Sequence, residues 1–306
     1  MSLSIALFGK FSAQLNGQRL RGLDGTRLQE LFCYLLLHRG QPHSRESLAS
    51  LLWSDVETAQ SKKYLRQALW QLASLLNPSG GSRSEHILFV EPDWIDIHSE
   101  ADLWLDVAEF EKAFSVVTGL VGRDMDSPTA SALTRAAELY KGDLLQGCYH
   151  DWCIYERERL QNSYLGILDK LMDYCEAHGE FERGILYGER TLYYDRARER
   201  THRRLMRLKF RSGDRTGALR QFDRCALALE QELGVRPAKE TLALYDKMRS
   251  DGMESGSTEE NSVTELQTIV PEALGQLRRL LKSLTDLQHQ AQQHLQSIEA
   301  LLKQRD

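Results

Sequence analysis

The chain has 306 residues, of which 27% are charged and 42% are hydrophobic, and its formal net charge is −5. This length and composition predict a globular protein of two domains with a further segment. The acidic balance excludes nucleic-acid binding driven by overall charge, so any contact with DNA must come from a local basic surface. No apolar run approaches the ~20 residues of a membrane span. The chain begins with a strand-like alternation rather than a signal peptide, so we expect a cytoplasmic protein that does not bind a membrane.

The five cysteines are odd in number and mostly lie within apolar helical patterns. Cys148 and Cys153 flank His150, but no second Cys/His pair completes a set of zinc ligands. We therefore expect buried thiols and no metal site.

Residues 3–21 predict β-strands, because large hydrophobic residues alternate with smaller ones and an Asn-Gly pair gives a strong hairpin signal. Thr26 can cap a following helix that carries a leucine-rich stripe. Ser44 is expected to cap a short helix that ends near Trp53. A four-residue loop then leads to the next helix.

The segment 61–76 predicts an amphipathic helix. Its leucines recur from Leu65 to Leu76 at steps of four, three and four, which places them on one face. The opposite face is basic, amide-bearing and aromatic, so it can contact phosphates and base edges. Such a face suits a helix in a DNA groove. The alternative is an amphipathic helix whose basic face meets only solvent.

Two short strands are expected at 87–90 and 94–97. A short helix, an amphipathic helix and a hairpin in this order form a winged helix, in which the last helix enters the major groove and the hairpin touches the DNA backbone. The hairpin places acidic residues around Trp94, and these repel phosphates. Arg83 and His86 at its base are therefore the better candidates for phosphate contacts.

Several strings within residues 1–110 carry a family resemblance. They are Leu7-Phe8-Gly9, the leucine-rich 28–37 segment, and the strings at 44–48, 51–53 and 64–69. They resemble the OmpR-type winged helix and, more closely, the DNA-binding half of the SARP/BTAD transcriptional activators. The resemblance implies that 61–76 is the recognition helix and that the 53–57 loop faces RNA polymerase. The expected DNA-binding residues are Lys62, Lys63, Tyr64, Arg66, Gln67 and Trp70, with Ser44, Arg45, Arg83 and His86 beside them.

An internal repeat of 34 residues follows in the second half of the chain. The matched pairs are Leu171 with Leu205, Met172 with Met206, Gly179 with Gly213 and Gly184 with Ala218. This period is that of tetratricopeptide repeats, so paired helices with glycines between them are predicted. Flanking helices are expected at 131–140, 151–162 and 238–249, which together make a small solenoid.

Three further strings resemble the bacterial transcriptional activator domain, or BTAD, over roughly 105–250. They are 139–145 followed by Trp152, 199–206, and 232–237 followed by Thr241 and Tyr245. The resemblance implies a transcription activator whose helical repeat domain packs against the DNA-binding domain and contacts a partner.

Between residues 190 and 224 there are twelve Lys and Arg residues and four Asp and Glu residues. Five arginines fall at helical steps and are expected to form one cationic stripe, namely Arg196, Arg200, Arg203, Arg207 and Arg211. One interpretation is a solvated face that pairs with acidic neighbours. The other is an anion site for DNA backbone, an acidic polymerase segment, or a phosphorylated or nucleotide effector. The sequence does not choose between them.

Residues 251–262 are polar and predict a linker. Residues 263–306 predict a coiled coil, because apolar positions alternate at steps of three and four over about four heptads. We expect this helix to make a homo-oligomer, which would present two recognition helices to two half-sites. Docking of the helix on its own chain is the alternative.

Together these patterns predict a mainly α protein with a small N-terminal β component. The expected order is a winged helix-turn-helix domain at 1–105, a TPR-like helical repeat domain at 106–250, the linker, and the C-terminal coiled coil. The expected function is sequence-specific regulation of transcription, with double-stranded DNA and RNA polymerase as partners. A protein-interaction scaffold with a degenerate winged helix is the alternative. No phosphate-binding glycine loop, nucleophile motif or metal-ligand pairing predicts an enzyme or a cofactor.

Overall fold

The structure is a computed structural model that describes residues 3–23, 26–77, 86–97 and 103–250. By their internal contacts, residues Met1–Tyr245 form one compact unit. Arg83, the predicted linker at 251–262 and the predicted coiled coil at 263–306 lie outside the described residues. None of the helices in the described ranges is both long enough and apolar enough to cross a membrane.

In the described residues, short strands alternate with helices up to residue 105, and helices follow from there on. The strands are β1 (Leu3–Ala6), β2 (Ser12–Leu15), β3 (Gln18–Arg19), β4 (His43–Ser44), β5 (Leu88–Val90), β6 (Trp94–Ile97) and β7 (Leu103–Leu105). The helices are α1 (Thr26–Leu37), α2 (Arg45–Leu52), α3 (Thr58–Leu76), α4 (Asp106–Val116), α5 (Ser127–Leu139), α6 (Asp151–Ala177), α7 (Phe181–Tyr194), α8 (Glu199–Arg211), α9 (Arg215–Leu233) and α10 (Lys239–Ser250). The predicted fold class, mainly α with a small N-terminal β part, is confirmed for these residues.

Two small sheets frame the first three helices. One has the order β3-β2-β1-β7, in which β1 is antiparallel to β2 and parallel to β7. The other has the order β4-β6-β5 and contains the hairpin of the winged helix. β7 was not expected from the sequence. Its pairing with β1 returns the chain to the N-terminal sheet just before the helical half begins.

The winged helix forms much as its spacing predicts. Ser44 caps α2, since its hydroxyl accepts a hydrogen bond from the backbone N–H of Ser47 at 3.4 Å, and Trp53 ends the helix. α3 begins at Thr58, three residues before the predicted start. Leu65, Leu69, Leu72 and Leu76 are buried, and they belong to the core that also contains α1 and α2.

The 34-residue repeat corresponds to two helical hairpins, α6–α7 and α8–α9. Gly179 and Gly213 lie in the turns with φ of +72° and +87°, a left-handed conformation that favours glycine. Gly184 lies where α7 crosses its neighbours, because a Cβ there would be 3.1 Å from Leu208 Cδ1. The separate helix expected at 151–162 is wrong, since α6 runs unbroken over 27 residues.

Asp106, the first residue of α4, binds the end of β1. Its carboxylate accepts hydrogen bonds at 2.9 Å from the backbone N–H groups of Leu7 and Phe8, and one at 2.7 Å from that of Val107. The residue is 2% exposed. Burial raises the pKa of Asp106, and the three N–H donors oppose that rise. A buried carboxylate therefore links the N-terminal sheet to the first helix of the helical half.

Backbone pairing strengthens this link. The N–H of Gly9 donates to the Asp143 carbonyl at 2.9 Å, and the N–H of Leu145 donates to the Leu7 carbonyl at 2.9 Å. The Phe8 ring joins an aromatic cluster whose other members are Phe110, Tyr140, Tyr164 and Tyr194. The string at 139–145 is thus the surface against which the N-terminal strand packs. The two halves of Met1–Tyr245 share a core rather than a flexible joint.

We expect Asp106→Asn to lower the free energy of unfolding by about 1–3 kcal/mol, the range for leaving a buried donor unpaired. The amide keeps one acceptor oxygen and turns an NH₂ group towards the backbone donors. Urea unfolding of the purified protein measures the change. Asp124→Asn, which alters an exposed carboxylate, is the matched control, and equal stability of the two variants would contradict the role of Asp106.

Candidate nucleic-acid interface

α3 has one buried face and one exposed face. The buried residues are Ser61, Leu65, Ala68, Leu69, Leu72 and Leu76. The exposed residues include the six predicted DNA contacts, Lys62, Lys63, Tyr64, Arg66, Gln67 and Trp70. The predicted helix phase is confirmed, while DNA binding by these residues remains a prediction. Trp70 is 71% exposed, so its indole ring is available for contact with another molecule.

The cations on this face differ in their surroundings. Lys62 Nζ is 2.5 Å from Glu46 Oε1 of α2. This hydrogen bond and the lysine charge lower the pKa of Glu46. Within the described ranges, Lys63 and Arg66 have no ion-pair partner, so they present charge directly to solvent. Lys62 must leave Glu46, or share it, to meet a phosphate.

Arg45 attaches the β5–β6 hairpin, the wing, to the first turn of α2. Its Nη1 atom donates to the carbonyls of Glu91 at 3.1 Å and Pro92 at 3.2 Å. Its backbone N–H donates to the Asp93 carbonyl at 3.1 Å. These bonds leave Nε and Nη2 for the predicted phosphate contact. Ser44 is half-buried and its hydroxyl caps α2, so it lies beside the interface as a positioning residue.

Asn77 holds the other end of the wing and was missed by sequence reasoning. Its Oδ1 atom accepts from the backbone N–H groups of Ile87 at 3.0 Å and Leu88 at 3.2 Å. Its Nδ2 atom donates to the Leu88 carbonyl at 3.0 Å. The only sequence signal was an amide at the end of a predicted helix. His86 is half-exposed beside this junction, at the predicted base of the wing.

The tip of the wing is acidic and aromatic. Glu91, Asp93 and Trp94 are exposed, and Trp94 is 51% exposed. Phosphates would be repelled by these carboxylates at close range. The positive charge on the described part of this surface therefore lies on α3 and on Arg45 rather than at the wing tip.

The predicted cationic stripe is wrong as a single face. Arg196 precedes α8, and its Nε is 3.9 Å from Glu232. Arg203 points towards α10, where its Nη1 donates to Thr241 Oγ1 at 3.0 Å. The prediction counted helical steps of three and four residues from Arg196 onward. α8 begins only at Glu199, and the sequence pattern did not indicate that start.

The other three predicted arginines do share a surface. Arg200, Arg207 and Arg211 line a cavity of about 330 Å³, together with Arg204 and Arg123, which sequence reasoning missed. Arg200 lies 3.7 Å from Asp169, and Arg207 lies 3.4 Å from Glu176. Pairing with acidic neighbours, one of the two interpretations of the stripe, is what the structure shows.

All five cysteines are free and buried, as expected. The side chain of His150 contacts two charged residues of α1. Its Nε2 atom lies 3.2 Å from the Glu30 carboxylate and 2.6 Å from Nη1 of Arg27. This contact joins α1 to the start of α6 and has a structural role.

Comparison with known proteins gives matches to both halves of the chain. Residues 105–249 match the family model of the bacterial transcriptional activator domain. The chain is similar to the regulatory protein AfsR of Streptomyces coelicolor, with 24% identity over 241 residues, 77% of this chain and 23% of the relative. The chain therefore spans less than a quarter of the length of that relative.

The fold is similar to that of EmbR of Mycobacterium tuberculosis, solved in complex with a low-affinity phosphopeptide. The TM-score is 0.68 at 17% identity, and the match covers 81% of this chain and 65% of EmbR. At that identity the likeness concerns the fold alone.

Adjacent residues on α3 give a direct test of its orientation. We expect Trp70→Ala to leave the free energy of unfolding within about 0.5 kcal/mol of the parent, since exposed positions rarely contribute more. Leu69→Ala should lower it by about 2–5 kcal/mol, because Leu69 is buried. Chemical denaturation measures both, and the reverse order would show that the exposed face had been assigned incorrectly.

Proposed function

Since residues 105–249 match the bacterial transcriptional activator domain, we propose that this chain is a transcriptional activator of the SARP/BTAD family and that it binds promoter DNA through the exposed face of α3. The coarser statement, that it is a transcription regulator, is supported by the match to the bacterial transcriptional activator domain and by the similarity to the regulatory protein AfsR. The finer one, sequence-specific binding of double-stranded DNA, is supported by the geometry of α3. Its action would take place in the cytoplasm, where a bacterial promoter is accessible.

One observation carries this proposal. The basic and amide side chains of α3 point away from a fully buried leucine face, and Lys63 and Arg66 are not neutralised within the described residues. Cations in this position neutralise DNA phosphates, while Arg66 and Gln67 have the donors and acceptors that read base edges. The exposed Trp70 ring can pack on thymine methyl groups or on sugars.

Two further contacts complete the proposal. The loop that includes 54–57 is exposed beside the start of α3, which is where the family resemblance places a surface for RNA polymerase. The predicted coiled coil at 263–306 would bring two copies of α3 to two half-sites. The helical half supplies the regulatory module in this scheme.

A salt-titrated binding assay tests the proposal. Full-length protein and the pair Lys63→Ala/Arg66→Ala are compared on a fluorescent fragment of the gene's own upstream region. We expect the variant to lose affinity through both side chains and to flatten the dependence of log K on log salt by about one, for the phosphate contact of Lys63.

The matched control for this assay is Lys10→Ala/Arg19→Ala, which removes the same charge from exposed positions outside α3. This pair should bind nearly as the parent does. If both double variants lost DNA affinity equally, the effect would be explained by overall charge and not by contacts of α3. No binding by the parent at low salt would contradict the proposal itself.

A second function is favoured by the acidic wing tip and by the excess of acidic residues in the first 110 positions, 13 Asp and Glu against 10 Lys and Arg. It is a scaffold role, in which the winged helix and the repeats bind protein. The absence of any salt-dependent DNA binding in the assay above would support it.

Glu46 is expected to restrain DNA binding by holding Lys62. We predict that Glu46→Gln strengthens DNA binding severalfold at low salt and raises the salt slope by about one, since the lysine becomes available for a phosphate. Glu138→Gln removes the same charge from an exposed position on α5 and serves as the control. Equal gains in the two variants would show that the Glu46–Lys62 pair has no specific effect.

A further inference from the structure

A basic cavity lies within the helical half, away from the residues assigned to DNA. It is formed by the C-terminal part of α6, by one face of α8 and by the short 3-10 turn Gly122–Asp124. Its volume is about 330 Å³, and its cationic lining consists of Arg123, Arg200, Arg204, Arg207 and Arg211. Four of these arginines come from a single helix, α8, so their spacing is set by helical geometry.

Gly122 brings the fifth arginine to this cavity. The turn packs so closely on α6 that a Cβ at Gly122 would be 2.3 Å from the Lys170 carbonyl oxygen and 2.7 Å from Asp173 Cβ. Only glycine permits that approach without displacement of the backbone. The backbone N–H of the next residue, Arg123, then donates to Asp173 Oδ2 at 3.0 Å. The turn is thereby fixed with the Arg123 side chain at the cavity.

Arg204 forms the floor of the cavity. Its side chain is 4% exposed and lies 2.8 Å from Asp169, 3.3 Å from Asp173 and 3.5 Å from Glu176. One buried guanidinium group therefore contacts all three neighbouring carboxylates. Such a buried cation is fully paired and serves as a rigid base for the groups above it.

The four arginines at the opening of the cavity have fewer carboxylate partners than are needed to neutralise their charge. Arg207 and Arg211 both turn to Glu176, at 3.4 Å and 3.6 Å, although that carboxylate already contacts Arg204. Arg200 and Arg123 pair only at 3.7 Å and 3.9 Å. Five guanidinium groups thus face three carboxylates. A net charge of about +2 remains at a concave surface, where it attracts a multiply charged anion.

We propose that this cavity binds a compact phosphate-bearing anion, with a diphosphate group as the ligand class. Guanidinium groups bind phosphate oxygens through paired, charge-assisted hydrogen bonds. Two adjacent phosphates match an excess of two positive charges held on several arginines. Ala177 is the sole apolar residue lining the cavity among those that the structure describes. The site therefore recognises the phosphates and leaves any attached organic group in solvent.

This site is independent of the proposed DNA contact, because it uses no residue of α3. Its cationic lining also differs from the stripe that the spacing predicted, since it adds Arg123 and Arg204 and omits Arg196 and Arg203. DNA backbone has the same phosphate chemistry, and the test must separate it from a small ligand.

Isothermal titration calorimetry of the full-length protein with pyrophosphate, at constant ionic strength, tests the proposal. The informative variant is Arg207→Ala/Arg211→Ala, whose side chains are 38% and 53% exposed. We expect saturable pyrophosphate binding by the parent and a loss of affinity of at least about tenfold in the variant. The control pair Arg220→Ala/Arg224→Ala, two exposed residues of α9 outside the cavity, should bind within about twofold of the parent.

Arg211→Ala alone provides the same comparison if the double variant fails to unfold cooperatively. A nucleoside diphosphate should bind about as tightly as pyrophosphate, because the phosphates carry the recognition. The proposal is overturned if the parent does not bind pyrophosphate, or if both variant pairs lose affinity equally. It is also overturned if Arg207→Ala/Arg211→Ala weakens DNA binding alone, which would assign the cavity to DNA backbone. If the α3 variants bound DNA as the parent does, the proposed function would fail, but the pyrophosphate result would still stand.

Discussion

The architecture depends on the buried carboxylate of Asp106. It lies at the start of α4 and accepts hydrogen bonds from the backbone at the end of β1, so the first strand of the N-terminal sheet and the first helix of the helical half meet at one residue. The backbone pairing of Gly9 with Asp143 extends this contact. Because a buried charge is stable only while its donors stay in place, the joint resists opening. The winged helix is consequently mounted on the repeats within one compact unit.

Features set by local spacing were predictable, and those set by distant contacts were not. The leucine period gave the phase of α3, and the 34-residue repeat located the turns at Gly179 and Gly213. The strand β7, the role of Asp106 and the anchoring of the wing by Asn77 each depend on partners at least ten residues away. Periodicity contains no information about such partners. The arginine stripe failed for the related reason that a helix start interrupts it before Arg200.

Charge in this protein acts locally. The net charge of −5 says little about α3, where Lys63 and Arg66 stand unneutralised in the described part of the chain, or about α8, where most arginines are paired with α6. The wing tip has the opposite sign. If this surface binds DNA, the opposite charges of α3 and the wing tip would orient the protein on the duplex. The cations of α3 would be attracted to phosphates, and Glu91 and Asp93 would be repelled by them. The same contrast predicts modest affinity and strong dependence on salt.

DNA cleavage directed from a single side chain tests the placement of α3 most directly. All five native cysteines are buried, so Gln67→Cys introduces one accessible thiol to which an iron chelate can be attached. We predict cuts confined to a few base pairs within the protected promoter site, and none from the same label at Lys10→Cys. Protected DNA that is cut from neither position, or equally from both, would contradict the placement of α3 against DNA.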